Sequence, residues 1–263
     1  MSKELLDTIK IDDRHLIRHK LFGENKSALQ RYKELVVGEG SVWKLVKYEI
    51  LTTILGPIPG ALGLVLRKLF YPYLFKKIGK GAVFGRSVVI RHPDKIHLGE
   101  RVVIDDYCLI DGRGAGEGGI VIADDVIINR GVMVQSKVGA IHIGGETNVG
   151  AGSSIISMGG VYIGDLVSIG GGCFISGGSF TVGRGEEEGR EQEKYTTGPV
   201  RIGNKARFGM RVIVLDGVQV GQGCIVGAGS VVTHDLPDYC VAAGSPATVK
   251  RPREGRAAKE SSR

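Results

Sequence analysis

The chain has 263 residues, 42% of them apolar, which is enough for one core-bearing domain plus an extension, and its 42 glycines point to a repeat fold instead of a disordered chain. The net charge of +7 is uneven: +6 over residues 1–77 (14 Lys/Arg against 8 Asp/Glu), +4 over 246–263 (6 against 2), and therefore −3 between them. No aromatic-interleaved basic stripe accompanies it, so nucleic acid is not an expected partner, and the four cysteines lack the spacing of a zinc or iron–sulfur site, so no metal is expected.

Residues 1–77 form an N-terminal helical and apolar extension. Met1 to Lys20 is studded with charge and contains no secretory leader, which favours a reducing, cytoplasmic setting. Ser27 is placed to cap a helix that starts at Ala28 and ends near Gly38 and Gly40. Ile50 to Leu66 carries no charge, but its 17 residues fall short of the ~20 that a spanning helix needs, and Gly56-Pro57 and Pro59-Gly60 break it in the middle. Two uses fit such a hairpin. It can cap the open end of the repeat that follows. It can also lie at a membrane surface, with Lys44, Lys47, Lys68, Lys76 and Lys77 at anionic head groups, which would make the protein peripheral on the inner face of the membrane. Both readings stand at this point.

From 78 to 235 the period is six. Aliphatic or aromatic residues recur in triplets, from Ile78, Phe84 and Ile90 through Ile143, Val149 and Ile155 to Val220, Val226 and Val232, seven triplets in all. Two positions before many of these lies a second inward-type residue, usually small, among them Cys108, Cys173 and Cys224; Cys240 in the tail is ambiguous. Period six is neither helix nor simple strand; it predicts a parallel β-helix with three hexads per coil. Side chains at i and i−2 share a face, so each hexad supplies two core residues, and stacking buries what one coil alone could not. A glycine often follows the ladder residue (Gly79, Gly150, Gly209), which predicts corners with backbone conformations costly for other residues. Longer gaps between triplets place insertions at one recurrent corner, the longest being an extruded loop over about 183–199 with an acidic run (Glu186, Glu187, Glu188, Glu191, Glu193). Residues 236–263 form a C-terminal turn and basic tail.

The C-terminal hexads carry a specific block: Ile202-Gly203-Asn204, then Val214-Leu215-Asp216-Gly217-Val218, Gly227-Ala228-Gly229-Ser230-Val231-Val232-Thr233, and Ala243-Gly244-Ser245-Pro246-Ala247-Thr248-Val249. With these motifs, and over about 78–251, the chain resembles the hexapeptide-repeat (isoleucine-patch) acyltransferases, and is similar to maltose, galactoside and surface-polysaccharide O-acetyltransferases. The resemblance implies a left-handed parallel β-helix and a homotrimer. It also implies an acyltransferase that moves an acetyl or other acyl group from acyl-CoA, the co-substrate, to a hydroxyl of a sugar or surface-glycan intermediate in polysaccharide biosynthesis. In that family CoA lies along the cleft between neighbouring subunits and a histidine at one corner is the general base.

The family base follows a short glycine-containing turn before the extruded loop. The matching position here is Ser179, with Phe180 second. A serine hydroxyl is no useful proton acceptor at neutral pH, and loss of a general base costs ~10²–10⁴ in rate. The catalytic residue is therefore unassigned by the sequence. His142, expected at the same class of corner but two coils earlier, stands about 10 Å away along the axis, too far for direct replacement, and His92 and His97 are farther still. A carboxylate from the acidic loop competes with a plain solvated loop, and a non-catalytic β-helix that binds or scaffolds is the alternative reading. The cofactor-binding set implied by the resemblance is Arg207, Arg211, Ala228, His234, Gly244, Ser245, Pro246, Lys250 and Arg251. Gly244 to Pro246 would hold the CoA arm by backbone groups, and Lys250 and Arg251 would pair with its phosphates. Arg207 stands where the family has Trp, Met210 and Arg211 where it has small residues, and His234 where it has Lys. A disordered basic tail and a plain surface histidine remain open for Lys250, Arg251 and His234.

Overall fold

The computed structural model describes residues 9–10, 26–38, 40–180, 194–196 and 198–253, with the backbone alone at 9–10, 179–180 and 194–196. Three faces of parallel strands wind through seven coils, two of the sheets having seven strands and one nine. The first face runs from Lys77–Ile78 to Gln219–Val220, the second from Val83–Phe84 to Ile225–Val226, and the third from Val89–Arg91 to Val231–Val232. Cys240–Gly244 and Ala247–Pro252 then extend the second face as an antiparallel hairpin. The chain is thus a parallel β-helix with a helical N-terminal region, as the period of six predicts.

The core follows the ladder. Every ladder residue from Phe84 to Val232 is at most 5% exposed, and Ile78 packs half-buried against the same cluster. The inward partner two positions earlier differs by face. It is large on the first face (Ile96, Ile120, Ile141, Val161, Val200) and smaller on the others (Ala82, Cys108, Thr147, Ser153). Buried hydroxyls among these bridge coils: Thr147 Oγ1 donates to the Gly164 carbonyl at 3.0 Å and accepts from Val167 N–H at 3.2 Å. Burial does not orphan them, which is why a polar atom is tolerated in the spine. Cys240 is buried beside Cys224, the two free thiols being 3.2 Å apart. Burial, then the neighbouring thiol, pushes Cys240 up to about 12 and keeps it neutral.

The glycine expectation needs correction. Gly79, Gly150 and Gly209 do not have positive φ. Each lies so close to the next coil that a Cβ would sit 2.3–2.5 Å from backbone atoms of that coil. The left-handed conformation falls three residues before the ladder residue on the second and third faces. It is taken there by Gly81, Gly131 and Gly152, but also by Arg101, Asp125, Leu166, Lys205 and Arg211. Glycine after the ladder residue therefore serves coil-to-coil approach, and the strained corner position tolerates side chains.

The N-terminal region forms α1 (Ala28–Val36), α2 (Val42–Leu55) and α3 (Gly60–Phe70), followed by a 3₁₀ turn at Tyr71–Leu74. Ser27 caps α1 with a reciprocal capping box to Gln30. The hairpin α2–α3 turns at Gly56–Pro59 and lies against the first coil, burying Leu45, Tyr48, Leu55 and Tyr71. Tyr48 Oη donates to the Ile90 carbonyl at 2.7 Å. Buried Arg67 reaches across, donating to the carbonyls of Leu55, Ile58 and Phe84 at 2.9, 2.7 and 3.0 Å. Among the described residues no helix is long and apolar enough to cross a membrane.

Candidate acyl-donor strip and acceptor groove

The long insertion leaves the stack after Gly178 and rejoins it at Gly198. Its base is tied by a small antiparallel sheet in which Ser179–Phe180 pairs with Lys194–Thr196, which in turn pairs with Ile9–Lys10. Ser179 lies opposite Tyr195 in that register. The side chains of Ser179 and Phe180, and the acidic residues Glu186 to Glu193, lie outside the described residues. The approach to the loop is tight: a Cβ on Gly178 would meet the Met158 side chain at 2.2 Å. Tyr162 stands beside the same corner, since a Cβ on Gly160 would meet its ring at 2.9 Å and Pro199 at 3.3 Å.

The corner between the second and third faces brings several of the expected residues into one axial strip. Met210 and Arg211, then Ala228, then Gly244 occupy successive coils at this corner. Gly229 N–H donates to the Met210 carbonyl at 2.9 Å, and Arg211 N–H to the Gly171 carbonyl at 2.9 Å. Ala228 closes over Gly209, whose absent Cβ would lie 2.5 Å from Ala228 N. Ser230 Oγ donates to the Gly227 carbonyl at 2.7 Å and accepts from Gly244 N–H at 3.1 Å, fixing the start of the hairpin turn that holds Ser245 and Pro246. All of Met210, Arg211, Ala228, Gly244, Ser245 and Pro246 are exposed. The strip is lined by small residues and backbone, with the larger side chains of Met210 and Arg211 on it.

Arg207 and Arg251 belong to the adjoining second face. The register runs Arg207, Ile225, Val241, Arg251, so two exposed guanidinium groups bracket two half-buried aliphatic residues over three strand steps of ~4.8 Å. Lys250 is the extra residue of a β-bulge, because Val241 pairs with Arg251 and Ala242 with Val249. Its Nζ donates to Thr248 Oγ1 at 2.8 Å. His234 is apart from these. It is exposed after the last strand of the third face, 2.8 Å from Thr233 Oγ1, at the corner leading to the first face.

The first face holds what the sequence reading missed. Its outward column, in register, is Lys77, His97, Val121, His142, Tyr162, Arg201 and Gln219. His142 is therefore mid-strand on a face and not at a corner. Its ring lies 5.4 Å from that of Tyr162, which in turn carries the Arg201 guanidinium 4.7 Å from its centroid. Toward the C-terminal coils this face opens into a groove of about 880 Å³, with Tyr162, Arg201, Asn204, Gln222, Asp235 and Asp238 in its lining. The signal was present one residue before each first-face ladder position; it requires knowing which strands are neighbours. Among the described residues no group of three or more His, Cys, Asp or Glu side chains is placed to hold a metal.

Comparison with known proteins fits this geometry. A family model described as "Hexapeptide repeat of succinyl-transferase" matches residues 199–234, which include Arg211 and Ala228 of the strip and part of the groove lining. Galactoside O-acetyltransferase of Escherichia coli (strain K12) is 35% identical over 111 residues, covering 42% of this chain and 53% of that protein. A Mycobacterium tuberculosis (strain H37Rv) protein named as a probable acetyltransferase is 30% identical over 121 residues, 46% of this chain and 40% of its own length. A Staphylococcus aureus (strain COL) protein is 50% identical over 54 residues, 20% of this chain and 27% of that protein. The chain thus spans between about a quarter and a half of the length of the curated relatives it matches. A solved structure of a mutant of AntD, an N-acyltransferase from Bacillus cereus in complex with dTDP and coenzyme A, superposes with TM-score 0.51 at 20% identity, covering 71% of this chain and 89% of that one; it supports the fold. The hexapeptide-repeat resemblance read from the residues holds.

Proposed function

We propose that the protein is an acyl-CoA-dependent O-acyltransferase whose acceptor is a hydroxyl of a sugar or surface-glycan intermediate. The observation that carries this reading is the coincidence of three things on residues 199–234: the family-model match, the strip of Arg211 and Ala228, and most of the groove lining. The relatives named as acetyltransferases support acyl transfer, and the galactoside enzyme supports a sugar acceptor.

The roles follow from the chemistry of each surface. Small residues and backbone at Ala228, Gly244 and the Ser245-Pro246 turn suit a narrow pantetheine arm, and Arg207, Lys250 and Arg251 suit phosphates, which basic side chains bind by charge-assisted hydrogen bonds. The groove offers an aromatic face, amides and carboxylates, a mixture suited to a sugar ring and its hydroxyls. In the reaction the acceptor oxygen bonds to the thioester carbonyl carbon, the carbon–sulfur bond breaks, and the hydroxyl proton passes through a base to the departing sulfur. Ser179 does not serve as that base. The imidazole nearest the loop in first-face register is His142, two strand steps from Arg201.

The strip and the groove lie on different sides of one chain, so a cleft that uses both needs two copies. A homotrimer would supply it. The third face supports such packing: its outward column runs Val89, Leu109, Met133, Ser154, Phe174, Ile213 and Val231, six apolar residues out of seven. We place the reaction in the cytoplasm, with the apolar hairpin as the element that would hold the protein near the inner membrane face.

A non-catalytic CoA-binding scaffold is the second reading, favoured by the serine at 179. Purified protein, acetyl-CoA and a panel of hydroxyl acceptors, with thiol release followed, separates them. Acceptor-dependent release that His142→Ala reduces by ~10²–10⁴ supports the enzyme and its base; CoA binding without release for any acceptor supports the scaffold.

A further inference from the structure

Helix α2 carries apolar residues on two opposite sides, and the β-helix covers only one of them. Leu45, Tyr48 and Leu55 face the first coil. On the opposite side Trp43, Val46, Ile50 and Ile54 are exposed, at 78, 37, 52 and 58%, and fall within about 80° of the helix circumference. Helix α3 repeats the pattern with Leu62, Val65 and Leu69 exposed and Gly63 and Arg67 buried. Of the 21 exposed large hydrophobic side chains among the described residues, eleven lie between Val42 and Tyr73, so the exposure is concentrated on this hairpin. A concentrated exposed apolar surface of that kind marks an interaction site.

Charge selects the cover. Residues 41–77 contain six basic side chains and one acid, Glu49. Arg67 is turned inward, whereas Lys68, Lys76 and Lys77 are exposed around the apolar face. A second copy seated face to face would oppose two positive surfaces; a layer of anionic head groups complements one. The helices are 14 and 11 residues long, about 21 and 17 Å, against a hydrocarbon core of about 30 Å. They can lie in the interface and cannot cross it. We propose that the exposed faces of α2 and α3 dock this protein on an anionic lipid bilayer, lying flat with their apolar side chains among the acyl chains and the lysines at the head groups. This deepens the peripheral location given above and is tested by binding alone, so its failure leaves acyl transfer to a soluble acceptor untouched.

Trp43 is the chain's one tryptophan and sits on the proposed surface, so it reports directly. The full chain is titrated with vesicles of phosphatidylglycerol and phosphatidylcholine, and with phosphatidylcholine alone, while Trp43 emission and quenching by brominated acyl chains are read. The expected result is a blue shift with quenching on anionic vesicles, weakened by salt. The double variant Ile50→Glu/Val65→Glu should reduce partitioning at least about tenfold, with melting temperature and elution volume unchanged because both side chains are exposed. Unchanged emission at saturating anionic lipid would overturn the proposal, as would a blue shift that tracks protein concentration without lipid, which would mean a second copy covers the face. Equal binding to neutral vesicles would overturn the assignment of the lysines.

Discussion

Arg67 is a buried cation with no carboxylate in ion-pair range among the described residues. Its counter-charge is a set of carbonyls: Leu55 and Gly56 at the C-terminus of α2, Ile58 in the turn, and Phe84 on the first coil. A helix C-terminus favours a cation, and here that preference also ties the hairpin to the stack. Replacing the side chain by Met would leave several carbonyls unpaired, and we expect Arg67→Met to cost about 3 kcal/mol or more, read by denaturant unfolding. His92 is the second tie. Its N–H donates to the Val36 carbonyl at 2.8 Å and its Nε2 lies 2.7 Å from the Glu34 carbonyl. Burial holds the His92 imidazole below its ordinary value, outweighing the Glu34 carbonyl and the more distant Asp94 and Asp111, while Arg113 adds to the lowering. The unfolded chain therefore binds the proton more readily, and stability is lost as pH falls below about 6.5 toward the lowered value. Melting temperature should drop between about pH 7.5 and pH 5.5, and His92→Asn, less stable at the upper end, should flatten that dependence. Neither tie was legible in the sequence, because each depends on which carbonyls the folded hairpin and α1 present.

At the scale of elements, period six revealed the inward positions because it depends only on strand alternation and coil length. The role of the glycines did not emerge from it, since close approach between coils is a property of the stack. A pair of substitutions separates the two roles. Gly150→Ala would put a Cβ 2.5 Å from the Gly170 carbonyl carbon, and should cost about 2 kcal/mol or more because the next coil cannot retreat. Gly152→Ala has open space but a φ of +67°, and should cost about 1 kcal/mol. Thermal unfolding of both checks the order; equal losses would mean the coils are looser than their hydrogen bonds imply. The hairpin break at Gly56–Pro59 was readable from composition. The first-face column from His142 to Arg201 was not, because these residues are 20 and 39 positions apart and only the insertion lengths bring them into register.

For the whole molecule, the C-terminal coils are the proposed seat of the acyl donor. The block from Ile202 to Val249 pointed there from the sequence, and the fold gathers Arg211, Ala228 and Gly244 on one corner with Arg207 and Arg251 beside them. It leaves His234 at another corner, a separation invisible in the motif order. The groove proposed for the acceptor lies on a third side, which makes assembly of copies part of the reading. The most direct test is calorimetric titration of the intact protein with acetyl-CoA. The prediction is saturable binding at one molecule per chain, weakened about tenfold or more by Arg207→Ala/Arg251→Ala through lost charge-assisted contacts to the phosphates. Absence of binding, or an affinity that the double variant leaves unchanged, would contradict it.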